Sequence, residues 1–165
     1  MSIADRIIAR ITRRPPDVVI GGEDRPYLRR WWVIPRNRFF NIYLHQFLRS
    51  DDDRALHDHP WSNVSVLLRG AYREHSFTGL GNVQVRTIAA PAIRVRSSGK
   101  FAHRIELLRE DWCGKPIGAE MPCWTLFFTG PRYRQWGFHC PRGWVHWKLF
   151  TAADDEGAIG KGCDA

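Results

Sequence analysis

The sequence predicts an all-β, antiparallel sandwich or barrel preceded by one short helix. Three observations carry this. About ten short segments rich in Val, Ile and aromatic residues follow residue 16, each bounded by Gly, Pro or Asp. Their apolar residues recur with the period of a strand, and no second helical pattern is visible. At 165 residues the chain is most simply one domain, long enough to bury a core.

Residues 2–14 read as the helix. Ser2 with Asp5 forms a candidate capping box. Ile3, Ile7, Ile8 and Ile11 share one face, while Arg6, Arg10, Arg13 and Arg14 take the others, and Pro15-Pro16 ends the run. The plain expectation is an amphipathic helix packed on the domain edge; a helix for membrane surfaces or nucleic acid is the alternative. The strand candidates are "DVVI", "YLRRWWVIP", "RFFNIYLHQFLRS" up to the acidic turn Asp51-Asp52-Asp53, and "NVSVLLRGAYREHSF", broken at Gly70. After the turn Gly79-Leu80-Gly81 come "NVQVRTIAAP", "AIRVRS", "AHRIELL", "CWTLFFTGP", "RQWGFHC" and "WVHWKLF". The organisation expected is a basic amphipathic helix over 1–16, a β-barrel domain over 17–150 and a flexible tail over 151–165, which is small and polar.

Composition limits function. Hydrophobic residues at 44% exclude a disordered chain. The net charge of +8, with 21 Arg against 4 Lys, suits an anionic partner: nucleic acid, an anionic membrane or a small anion. Cys113, Cys123, Cys140 and Cys163 show no CxxC spacing, so neither a zinc ribbon nor a thioredoxin motif is indicated. With no signal peptide and no apolar run of membrane length, the expectation is reduced thiols in a cytoplasmic protein with no membrane partner.

The chemistry concentrates in "HDHPW". On a strand His57 and His59 point to one face, about 6.5–7 Å apart at their α-carbons, and two imidazoles so placed can converge on one ion. Asp58 points the other way, a poor ligand and a better supporting or surface group. A lone HxH is equally compatible with half-exposed strand histidines.

The residues that follow resemble the cupin superfamily, whose first motif is HxH, three or four residues, Glu, six residues, Gly. Here His59 is followed after three residues by Asn63, where the motif has Glu, and six more lead to Gly70. "SGKFAHRIEL" is similar to the second motif with His103, lacking its Pro-x-Gly lead-in and trailing Asn. "HDHPW" with the later "GPRYRQWGF" also resembles a group of short cupin-like proteins from bacterial and phage genomes. The resemblance implies a cupin-like double-stranded β-helix (a jelly-roll barrel) with a divalent transition metal, Fe, Zn or Ni, on His57, His59 and His103. It implies no particular reaction, because one fold hosts many. Loss of the Glu also fits a cupin that has given up its metal.

The remaining candidates are weighed against plainer roles. Asn63 and His45 are candidate fourth or supporting ligands, though His45 on "NIYLHQF" also reads as a packed histidine. Arg96 and Arg134, each alternating with a second arginine, can fork onto a carboxylate or phosphate or lie on the solvated face. Trp61 can wall a pocket by stacking. His139 and His146 sit in a tryptophan-rich stretch that reads first as core. No general base stands out. The expectation is a metal-dependent enzyme, of dioxygenase or isomerase type, acting on a small anionic molecule. The alternative is a non-enzymatic module for a sugar, nucleotide or nucleic acid, with a homodimer through edge strands compatible with either.

Overall fold

The computed structural model describes residues 1–51, 55–78, 81–112, 115–153 and 159–165, with the side chains of 111–117 left aside. Asp52 and Asp53 of the acidic turn, Gly79-Leu80 and Cys113 lie outside the described residues.

Two antiparallel six-stranded sheets form the body. In chain order the first strands are β1 (Val18–Ile20), β2 (Leu28–Trp32), β3 (Asn41–Phe47), β4 (Leu56–His57) and β5 (Asn63–Arg69). There follow β6 (Ala71–Phe77), β7 (Val83–Ala89), β8 (Ala92–Arg96) and β9 (His103–Leu107). The last are β10 (Arg109–Trp112), β11 (Lys115–Glu120), β12 (Cys123–Thr129), β13 (Gly137–Cys140) and β14 (Gly143–His146). One sheet runs β1-β2-β3-β12-β5-β8, the other β14-β13-β4-β9-β6-β7, and β10-β11 form a separate hairpin. The pairs β3 with β12, β4 with β9, β5 with β8 and β6 with β7 are nested, as when one long hairpin is rolled around a barrel. That is the jelly-roll order.

Alternation decides what fills the barrel. In β5, Asn63, Ser65 and Leu67 face inward; in β6, Tyr72, Glu74 and Ser76 do. Leu67, Tyr72, Leu107, Phe47, Leu28 and Cys123 meet at the end where β5 turns into β6 and close it with apolar packing. Gly70 makes that turn at a φ of 85°, and a side chain there would press on Cys123 and the Pro122 carbonyl. The polar inward residues collect at the opposite end.

Helix α1 (Ile3–Ile11) carries the expected capping box, with the Ser2 hydroxyl accepting from the Asp5 amide at 3.1 Å. It packs Ile8 and Ile11 over Trp31, Leu44 and Leu126 on the outer face of the first sheet, the edge packing anticipated for it.

Four expectations need correcting. "WVHWKLF" is not one strand: β14 ends at His146 and Trp147–Phe150 form a single helical turn, α2, capped by the His146 ring. The hairpin β10–β11 falls between the segments expected as strands. "RFFNIYLHQF" enters its strand only at Asn41, because Asn37 and Asn41 tie residues 37–41 into a loop. Finally, Cys140 and Cys163 form a disulfide, so only Cys123 is a free thiol among the described residues. This pair is oxidised where reduced thiols were expected, so cysteine usage gives no ground for a cytoplasmic location. The described end of the tail packs back, with Cys163 against the cluster of Ala55, Phe138 and Phe150. Among the described residues no helix is long and apolar enough to cross a membrane.

Candidate metal centre

His57 ends β4, His59 follows in the extended segment before Pro60, and His103 opens β9 directly opposite His57. Ring nitrogens of the three lie within 4.8 Å of one another. His59 Nε2 and His103 Nε2 are 2.9 Å apart. Two nitrogens that share one ion at about 2.0–2.1 Å are about 2.8–3.4 Å apart for angles between 90° and 109°, so this pair fits a common ion as it stands. The surroundings are aromatic: Phe127 faces His59, Phe101 faces His103, and Phe138 and Trp136 face His57.

Burial keeps the three rings uncharged. It holds His59 well below the usual histidine range, with the charges of His103, His57, Arg96 and Arg134 adding to the effect. Burial and then the Arg96 charge bring His103 down to about 3, against an opposing hydrogen bond to Glu74. His57 is lowered by burial in spite of Asp51 and Asp58 nearby. Neutral imidazole is the form that ligates a metal, so the donor set fits a divalent transition ion.

A residue that sequence reasoning missed organises this cluster. Glu74, on β6 and almost wholly buried, lies 3.2 Å from His103 Nδ1, bonds Arg94 at 2.7 Å and also pairs with Arg96. By accepting the Nδ1 proton of His103 it leaves the Nε2 lone pair facing His59. Burial alone pushes the Glu74 carboxyl up; the His103 hydrogen bond and the arginine charges outweigh it and hold it well below the usual carboxylate range. The alternation Tyr72–Glu74–Ser76 was the available signal. Asp51 plays a looser part at His57, 3.8 Å from Nδ1, and is fixed by the Ile105 amide and the Tyr27 hydroxyl.

The other candidates fall in three places. Asn63 and Arg96 are cross-strand partners beside His103, and Asn63 Oδ1 accepts from Arg96 Nη1 at 3.2 Å. Where the motif has a carboxylate, this chain therefore places an amide oxygen already bonded to a guanidinium. Trp61 Nε1, Asn63 Nδ2 and Arg96 Nε are buried donors without an acceptor among the described residues. His45 lies deeper, stacked between Tyr43 and Phe127 with its Nε2 accepting from Arg30, and burial and the Arg30 charge hold it neutral. It is one aromatic ring removed from His59.

Arg134 is on the far side of the HxH segment. It donates to the carbonyls of His59 and Gly99 and reaches Asp58 at 2.9 Å. Asp58, expected as a surface or supporting group, is buried, and it also accepts from the Gly137 amide and Trp144 Nε1. An open cavity of about 390 Å³ beside it is lined by Asp58, Lys100, Arg134, Gln135, His139 and Trp144. His139 is therefore part of the Asp58 cluster, not of the three-histidine cluster.

No protein-family model matches the chain, and no curated protein does. Solved structures do. A Klebsiella pneumoniae conserved protein with a double-stranded beta-helix domain is 15% identical over 84% of this chain and 89% of its own, with a TM-score of 0.48. FeII HppE in complex with substrate is 12% identical over 72% of this chain and 57% of that one, at 0.49. Bacillus subtilis oxalate decarboxylase, described with Mn(II) centers, is 16% identical over 78% of this chain, at 0.48. This chain covers only 31% of the decarboxylase's length. These are likenesses in the path of the chain; the nested strand order decides the class by itself. The fold is a double-stranded β-helix, a jelly-roll barrel. In it the three histidines face one another at the end of the barrel opposite the apolar core.

Proposed function

We propose that this cupin-like barrel holds one divalent transition metal ion, iron, zinc or nickel, on His57, His59 and His103, and uses it on a small anionic substrate. The observation that carries the proposal is the meeting of three neutral, largely buried imidazoles, two of them already at the spacing of ligands to one ion. When bound, such an ion supplies Lewis acidity or, if it is iron, redox chemistry. The chain's own residues do the rest. Glu74 fixes the His103 tautomer, while Phe101, Phe127, Phe138 and Trp136 restrict water around the rings. The unpartnered donors of Trp61, Asn63 and Arg96, all at the histidine end of the barrel, suit a ligand rich in acceptors, a carboxylate or phosphate.

Elemental analysis of the untagged protein beside His57→Ala and His103→Ala tests this. Near-stoichiometric metal in the parent and its loss from both variants is the expected result. A parent that takes up no iron, zinc or nickel on reconstitution overturns it.

A second reading rests on Asn63 and Arg96. With no carboxylate among the ligands and a guanidinium beside His103, the barrel would be a metal-free module that binds an anion without turning it over. Anion binding that persists in His57→Ala, with no metal in the parent, selects it.

A further inference from the structure

A basic and aromatic face lies apart from the histidines, and the three-histidine reading does not depend on it. Residues 33–40 join β2 to β3, and Asn37 fixes their course. Its side-chain oxygen accepts the amides of Phe39 and Phe40 at 2.9 and 3.0 Å, and its backbone exchanges two hydrogen bonds with the Asn41 side chain. So tied, the loop presents Phe39 and Phe40 to solvent at 63% and 54% exposure. Two exposed arginines accompany them: Arg38 stacks on Phe39 at 4.9 Å and Arg36 on Trp32 at 5.5 Å. Trp32 links the loop to the end of α1, because its carbonyl accepts from Arg14 at 2.7 Å. There a basin of about 530 Å³ includes Arg13, Arg14 and Arg29, with Glu23 as its acidic residue.

We infer that this face binds single-stranded nucleic acid, with phosphates along the arginines and unpaired bases stacked on Phe39 and Phe40. Exposed rings beside guanidinium groups are the elements such binding uses, since every base offers a π-face and every phosphate a charge. The fixed loop presents both rings without an ordering cost. A duplex hides the base faces that the rings would meet. A membrane fits less well. Ile8 and Ile11 of α1 are packed on Trp31 and Leu44, which leaves Ile3 as the exposed isoleucine of that face, and sinking Phe39 into lipid would carry the Arg38 guanidinium with it.

Fluorescence anisotropy with a labelled oligo(dT) of about 20 nucleotides, titrated at several salt concentrations, tests the inference. The parent protein binds the single strand more tightly than a duplex of equal length, and the logarithm of its affinity falls linearly with log salt. Phe39→Ala and Phe40→Ala each weaken binding roughly 5- to 150-fold with the salt slope unchanged. Arg36→Ala and Arg38→Ala each reduce the slope by about 0.7, the value per phosphate contact on a single strand. All four positions are exposed, and circular dichroism verifies that the variants stay folded. His57→Ala binds as the parent does, which separates this face from the metal centre. No binding at low salt overturns the inference, as does equal binding of duplex or Phe variants that bind like the parent. Sedimentation with phosphatidylserine vesicles, lost in the Phe variants while oligo(dT) is ignored, would assign the face to membranes instead.

Discussion

Replacing Glu74 by Gln tests whether one buried carboxylate holds the histidine end of the barrel together. Glu74 is 1% exposed and Arg96 is 5% exposed. The substitution keeps the shape and removes the charge shared by Arg94, Arg96 and His103. Breaking a buried pair leaves a guanidinium desolvated and uncompensated, which costs about 3–5 kcal/mol. For a domain of this size each kcal/mol lowers Tm by about 2–4 °C, so the expected fall is roughly 6–20 °C. Urea denaturation followed by tryptophan fluorescence at pH 7 measures the free energy directly. The double variant Glu74→Gln/Arg96→Met removes the buried guanidinium that the single variant leaves uncompensated and recovers most of the loss, since that stranded charge is the main cost of a broken buried pair. A single variant within 1 kcal/mol of the parent, or a double variant no better than the single, would refute the argument. The same substitution frees the His103 tautomer, and loss of such an outer partner weakens metal affinity about 10- to 100-fold, readable by competition with a chelating dye.

Two further outcomes follow from the charges and the disulfide. His103 has a folded pKa of about 3, below the ordinary 6.5, so between these values the unfolded chain binds the extra proton. Stability is then full above pH 6.5 and falls as pH drops, by roughly 2 kcal/mol from this residue at pH 5. Urea midpoints taken from pH 7.5 to 4.5 show that decline, which His103→Gln lessens; an unchanged slope in that variant would count against the assignment. Cys163→Ser opens a link between residues 23 apart in sequence and costs about 3 kcal/mol by loop entropy. Thermal melts show the difference without reductant and lose it in dithiothreitol; identical melts in both conditions would mean the bond contributes nothing.

Much of the site is legible in the sequence because strand geometry is local. The spacing of His57 and His59 puts both rings on one face, and the alternation of "NVSVLLR" and "HRIEL" marks strands able to carry a third ring opposite them. The same periodicity, with Gly and Pro at the breaks, predicts an antiparallel β-barrel, and the Ser2–Asp5 pair predicts the start of the helix. Short-range patterns of this kind depend only on the pleat and on capping.

What the tertiary structure alone decided concerns partners far apart in the chain. Asn63 read as a candidate fourth or supporting ligand, but only the β5–β8 register shows its oxygen committed to Arg96. Arg96 read as a substrate anchor, and the fold sets it against Glu74, twenty-two residues away on the other sheet. Asp58 read as outward, yet β13 and Trp144 cover it and pair it with Arg134. Cys140 and Cys163 have no motif spacing, and they meet because the chain end folds back over Phe150. A charge's role depends on which strand or segment crosses it, and in a nested barrel those neighbours come from distant parts of the sequence. Local periodicity therefore gives the faces of the strands, and the long-range pairing determines which buried groups meet.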